Sequence, residues 1–429
     1  MICPVALCRF HCGDLSCVSD VTPARFADVT VVGAGLTGSL VALALAERGA
    51  AVQLIEAPGV LTATAFSYAG VPWWSGPAGA LGELQAGALR TWQALSLRHG
   101  DLGVESCSLA LLPDVGEGPL AASHLTTLLP HGPEGTWIEA EALRALEPRL
   151  RPRQQSGALL LPYARVALER WSLGLRRALR RLRVHRLQGR VCQLMPVSAG
   201  PGTTPVQLRC TDGTLLSCRH VVLCQGASIP ELLPSTWLPQ LRHSWAGALD
   251  LPLADRWRGP LVMALRTLRR QLETSSLAQR TAAWSGPRET PRPADAVILD
   301  PGLAPCSAGV RLGQTSSLGL EPTPLQPPDP AQERRRLARV GELLLAEWGP
   351  KQLAMARLRQ GPVSFTLDGR PLVGSMPRRP GVWVFSGFSG PFAQAVVLAP
   401  LLARALDSGR ELDAALALQP WRPLMGEQG

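Results

Sequence analysis

Residues 28–32 (DVTVV) form a short β-branched run that meets a glycine turn, and the turn opens directly into LTGSLVALALAERG, where small and apolar residues recur at helical spacing. Gly49 suits the end of that helix, and AVQLIEA then reads as a second buried strand ending at Glu56. The result is a βαβ unit of about 30 residues. Its turn, GAGLTG, places Gly33, Gly35 and Gly38 where strand passes into helix. The first glycine permits a tight turn, the second lets backbone approach a pyrophosphate, and the third lets helix and strand pack closely. The N–H groups of the helix start, along Ala34, Leu36 and Thr37, then face the phosphates. Ala42 and Ala46 continue the close packing, and Glu56, 23 residues after Gly33, puts a carboxylate where ribose hydroxyls can donate to it. An acidic residue there disfavours the 2′-phosphate of NADP; NAD and FAD both fit.

The chain of 429 residues is long enough for two domains with cores of their own. Helical patterns run from about residue 79 to 99, and IEAEALRALEPRL reads as a short helix stopped by Pro148. GALLLPYARVALERWSLGLRRALRRL reads as a strand, a turn and a basic amphipathic helix. Strands are expected in VHRLQGRVCQLM, VQLRCTD, TLLSCRHVVLC and GALDLPL. Proline clusters between residues 284 and 330 read as loops around the strands AVILD and GVRLGQT, because helical periodicity resumes at AQERRRLARVGELLLAEW. Near the end, VWVFSGFSG leads into FAQAVVLAPLLARALDSG, a second strand, glycine turn and helix. Both ends of the chain are therefore expected to build one site.

The formal charge of +10 would suggest a polyanion partner, but Lys351 is the only lysine. An arginine-borne charge in an Ala, Leu, Gly and Pro-rich chain reads first as a coding bias. Arg176, Arg177, Arg180, Arg181 and Arg183 still make one basic helical face, and most such faces are solvated; a nucleic-acid partner is not the expectation. Cys3, Cys8, Cys12 and Cys17 crowd the start at spacings that match no paired CxxC zinc pattern, so no metal is assigned. The remaining cysteines are scattered, as in a reducing cytoplasm. Charged residues interrupt the first 26 residues, which read as a disordered leader rather than a secretory signal, and no run approaches the roughly 20 apolar residues of a membrane span. The seven histidines form no convincing Ser-His-Asp, Cys-His or metal constellation.

Four segments in order resemble the FAD-dependent oxidoreductases of the D-amino acid oxidase family, which includes glycine oxidase and sarcosine oxidase. They are the GAGLTG unit, TATAFSYAG, GRVCQL with TDGTLLSCRHVVLCQGASIPELL, and DGRPLVG with VWVFSGFSG. The resemblance runs from about residue 28 to 415 and is poor over 81–139 and 241–292. It implies an α/β fold in which a discontinuous Rossmann-type FAD-binding domain (27–75 with 150–240 and 355–415) carries a second, α+β substrate domain (76–149 with 241–354). Residues 416–429 remain as a C-terminal tail. Beyond the glycine unit and Glu56, it assigns cofactor contact to Ala65, Ser67, Val191, Gly226, Gly387, Phe388, Ser389 and Gly390. Trp73 and Trp74 read as core first and as flavin-pocket residues second.

Departures from the family pattern concern the substrate. The arginine that many amino acid oxidising members use to grip a carboxylate falls at Val363, and the histidine of "GHSG" is Phe388. Arg359, Arg311 and Tyr163 are the substitute candidates for substrate binding. The implied chemistry is oxidation of a C–N bond in an amino acid or secondary amine, with hydride passing to FAD, the imine hydrolysing, and O2 a possible acceptor. Two alternatives stay open: a flavin amine oxidase of the tRNA-modification type, and a non-catalytic flavin-binding or assembly protein.

Overall fold

A computed structural model describes residues 27–59, 62–113, 132–151, 157–195, 205–265, 297–319 and 326–424. The expected leader 1–26 with its four cysteines, most of the proline-rich stretch before residue 297, and the last five residues lie outside the described residues.

Two eight-stranded sheets organise the chain. The first runs Leu372–Ser375, Val382–Ser386, Leu215–Leu223, Ala27–Val32, Val52–Glu56 and His185–Gln188, with Val191–Leu194 and Val206–Cys210 attached through the start of Leu215–Leu223. Its central strands are parallel: Val29 and Val31 stand opposite Val52 and Leu54 on one side, and Val31 stands opposite Val222 on the other. Parallel strands are covered on both faces, which is why Val29–Val32 and Val52–Ile55 are buried at every position, Thr30 and Gln53 included, and the Thr30 hydroxyl donates to Gln53 Oε1.

Helix Leu36–Glu47 is buried on nearly all sides, from Gly38 through Ala46 without a break. It lies between the first sheet and helix Pro391–Ser408, itself long and apolar, so neither needs a polar face. Gly38 is obligatory for this packing, since a Cβ there would sit 1.8 Å from the Gly33 carbonyl oxygen. Gly33 itself has φ +99° and would drive a Cβ to 2.9 Å from the Cys224 backbone. The helix ends where Gly49 takes a left-handed conformation (φ 87°).

The second sheet runs Arg357–Thr366, Leu241–Pro252, Gly309–Gly319, Val297–Cys306, Leu261–Ala264, Val104–Leu112, Ala158–Val166 and Thr136–Ile138. It is antiparallel except between Leu261–Ala264 and Val104–Leu112. A bulge between Gly247 and Ala248 breaks the register of its long central pair. Helix Pro330–Leu344 covers it, started by the Asp329 carboxylate, which accepts from the N–H groups of Ala331 and Gln332.

Three placements cut across the segments expected from sequence. Ala158–Val166 and Arg357–Thr366, read as parts of the cofactor segments, pair in the second sheet. Helices Ala80–Ala86 and Ala88–His99, read as substrate-domain elements, pack against helix Pro391–Ser408; the Trp92 indole donates to the Phe392 carbonyl at 2.6 Å. Leu416 and Leu418 of the expected tail are buried core residues, and Arg422 pairs with Asp368 at 2.7 Å. Hydrophobic alternation identifies a strand but carries no information about its distant partner.

Among the described residues, no helix is long and apolar enough to cross a membrane, and no group of three or more His, Cys, Asp or Glu side chains is placed to hold a metal.

Candidate functional site

A cleft of about 360 Å³ lies between the two sheets. One wall is the carboxyl end of the parallel strands, the position where open α/β sheets bind ligands: Val32 to Thr37, Ile55 to Ala57, Cys224 to Ser228, and Ser386 to Ser389. The other is the second sheet, through Ala246 to Ala248, Gln314 and Pro362 to Ser364, and the segment from Thr62 to Tyr68 closes one side. The glycine turn is fixed by Gly33 N–H donating to Ile55 O and by Cys224 N–H donating to Val32 O, both at 2.8 Å. Gly35 supplies no capping side chain to the helix, and only Leu36 N–H is taken up locally, by Thr64 Oγ1 at 3.1 Å. The helix start therefore faces the cleft as a positive dipole end. Glu56 lies 3.9 Å from Arg186, with both side chains partly exposed, and its carboxylate remains open to the cleft.

Most expected cofactor residues line this one space: Gly33, Ala34, Gly35, Leu36, Thr37, Glu56, Ser67, Val191, Gly226, Gly387, Phe388 and Ser389. Gly38 is packed behind the turn, Ala65 faces two neighbouring cavities, and Gly390 caps helix Pro391–Ser408 one residue behind the wall. Sequence reasoning missed Thr62, Thr64, Arg190, Gln225 and, apart from Val363, the second-sheet wall. Of the missed wall residues, Gln314 had a signal, its place three residues after Arg311 in GVRLGQT.

The three substrate candidates sit elsewhere. Arg311, 5% exposed, gives Nε and Nη2 to Asp250 at 2.6 and 2.9 Å and Nη1 to the Ser67 carbonyl at 2.7 Å. Arg359 reaches the same carboxylate at 3.0 Å. Both line a neighbouring cavity, not the cleft. Tyr163 is buried against Trp73 (stacked, 6.3 Å) and Trp74 (edge-on, 6.0 Å), and none of the three aromatic residues lines the cleft. The tyrosine that does is Tyr68, whose hydroxyl is buried without a partner; that burial pushes its pKa up. The arginines of helix Leu168–Arg181 are exposed.

The family model for FAD-dependent oxidoreductases of the DAO type matches residues 28–406. The chain belongs to this family. Solved structures share its fold. Glycine oxidase from Geobacillus kaustophilus is 20% identical with a TM-score of 0.67, covering 93% of this chain and 99% of its own. Iminodiacetate oxidase from Chelativorans sp. BNC1 is 17% identical with a TM-score of 0.62, over 91% and 98%. L-proline dehydrogenase from P. horikoshii is 14% identical with a TM-score of 0.62, over 93% and 98%. Among curated proteins, none matches by sequence.

FAD is the cofactor of this family, and the cleft suits it. A side chain on Gly35 would enter the space in front of the helix start, 3.4 Å from Thr64 Oγ1, so the glycine keeps a backbone-lined path open. Among the described residues, charge in the cleft is confined to Glu56, Arg190 and Glu231 at the first-sheet end. The opposite end, under Phe388 and the second sheet, is neutral, as a dry site around a flavin ring requires.

Proposed function

We propose that this FAD-dependent oxidoreductase oxidises a C–N bond of a small amine or amino acid. The observation that carries the proposal is a single cleft shared by the N-terminal glycine turn, the C-terminal Gly387–Ser389 segment and the neutral wall of the second sheet. The three structural neighbours are named for glycine, iminodiacetate and L-proline, each of which carries an amine.

In this reading Gly33, Ala34, Gly35, Leu36 and Thr37 hold the pyrophosphate through backbone N–H groups, Gly38 sets the helix position, and Glu56 accepts from the ribose. Val191 and Gly226 would flank the adenosine side, Ala65 and Ser67 would support the linking segment, and Gly387, Phe388, Ser389 and Gly390 would close over the ring system. Bound FAD would supply a hydride acceptor: the amine would lose a hydride from its C–H and a proton from its N–H, and the imine left would add water to give a carbonyl and a free amine. Phe66, Phe388 and Phe392 exclude water, and Gln314, Ser364 and Tyr68 are neutral polar groups that could orient the amine. Six described cysteines carry free thiols, which supports a reducing cytoplasmic setting.

The purified protein should be yellow and release FAD on denaturation, and Gly35→Leu should abolish retention by filling the pyrophosphate path. An amine panel should bleach the flavin anaerobically, with peroxide formed on readmitting air if O2 is the acceptor. Retained FAD with no bleaching by any amine would replace this proposal with a non-catalytic flavin role.

A further inference from the structure

Charge is distributed unevenly along the cleft. Among the described residues lining it, the charged side chains are Glu56, Arg190 and Glu231, all at the first-sheet end, and Arg190 gives its Nη2 to both oxygens of Glu231 at 2.7 and 2.9 Å. The second-sheet end presents Ala248, Val363 and Phe388 with the neutral polar groups of Gln314, Ser364 and Tyr68. Arg311 and Arg359 are both committed to Asp250 and line a separate cavity that shares only Ser67 and Tyr68 with the cleft. Drawing Arg311 across would take its two bonds from Asp250, itself 4% exposed, and leave that carboxylate short of its main partner. A carboxylate entering beside Val363 would lose its water with no cation to replace it among the described residues that line this end of the cleft.

Building on the amine-oxidation reading, we propose that the substrate bears no free carboxylate at the reacting end: it is a neutral amine, or an amino acid derivative whose carboxyl is masked as an amide or ester. Gln314 and Ser364 match such a group: Ser364 Oγ, 3.2 Å from Ser386 Oγ, and Gln314 Oε1 have acceptor capacity for an amide nitrogen, and Gln314 Nε2, which gives one hydrogen to Ser316 Oγ, has a second for a carbonyl. The wall is selective by desolvation rather than by shape.

The test compares N-methylglycine with N-methylglycinamide, which present the same N-methylamine beside a charged or a neutral carbonyl group. Binding to the flavin-loaded protein is read by tryptophan fluorescence and by perturbation of the flavin band, and turnover by anaerobic bleaching. The amide should bind at least tenfold more tightly and bleach faster. Val363→Arg should reverse the preference by a similar factor, and Gln314→Arg, which places the charge on an exposed side chain, provides the same reversal should the first variant fail to fold. Tighter binding of N-methylglycine to the parent protein overturns this inference and leaves amine oxidation standing. Failure of every amine in the panel to bleach the flavin removes the amine reading and this inference with it.

Discussion

Glu147 shows how one buried carboxylate ties distant backbone together. It is 1% exposed, and its oxygens accept from the Arg149 guanidinium at 2.5 and 2.9 Å and from the N–H groups of Arg258 and Gly259 at 3.2 and 3.1 Å. Burial pushes its pKa up, but the Arg149 side chain and the backbone donors outweigh it and hold the carboxyl below the ordinary glutamate range. A depressed folded-state pKa means stability that is fully present above the unfolded value of about 4.3 and lost as pH falls through the folded one. Glu147→Gln should therefore cost about 1.5–3 kcal/mol at neutral pH and flatten the acid limb of stability below about pH 4, both read from urea midpoints across pH. An unchanged acid limb would show that Glu147 does not drive it. Gly38→Ala tests the other kind of residue-scale constraint. The added Cβ would stand 1.8 Å from the Gly33 carbonyl, so the helix must move away from the turn. The expected result is loss of FAD retention and a drop of about 1–3 kcal/mol for overpacking, measured by flavin release and thermal melting.

At the scale of elements, Asp250 is the clamp of the second sheet. It stands near the end of Leu241–Pro252 and binds Arg311 on one neighbouring strand and Arg359 on the other. Asp250→Ala would leave the Arg311 guanidinium buried with only the Ser67 carbonyl, a loss of about 3–5 kcal/mol, whereas Arg359→Ala, on a side chain 28% exposed, should cost much less. Comparable midpoints for the two variants would refute the ranking. The same clamp marks the boundary of what sequence could reveal. Gly33 and Glu56 were legible because their spacing within one βαβ unit fixes their geometry locally. Arg311 was legible as a residue in a family-like segment, but its partner lies 61 positions away, and nothing local announces that its charge is already used. Tyr163 and Tyr68 make the same point. Alternation puts Tyr163 on one face of its strand, but only the pairing of the sheets decides that this face meets Trp73 and Trp74 while Tyr68 meets the cleft.

For the whole molecule, the order of the chain and the order of the site differ. Residues near Gly33, Gly226, Gln314 and Gly387 meet around one space although they span most of the sequence, so a cofactor bound there would bridge both sheets and both ends of the chain. Anything that binds only the folded state stabilises it by RT ln(1 + [L]/Kd), about 2.7 kcal/mol at a hundredfold excess over Kd. FAD binds across elements from both sheets in this reading, so its stabilisation should appear in the transition of the entire chain rather than in the first sheet alone. The expected observation is that stripping FAD lowers the melting midpoint of the whole protein, and that added FAD restores it with the logarithmic concentration dependence of linkage. The tryptophan signal should follow the same midpoint as the far-ultraviolet signal, because Trp383 sits in the first sheet while Trp74 and Trp257 pack against the second. The Gly35→Leu protein should melt at the apoprotein midpoint and ignore added FAD. Separate transitions of the two signals, with only one of them shifted by FAD, would show that the cofactor stabilises one sheet without the other, and the shared cleft would then have to be assembled only after the cofactor is bound.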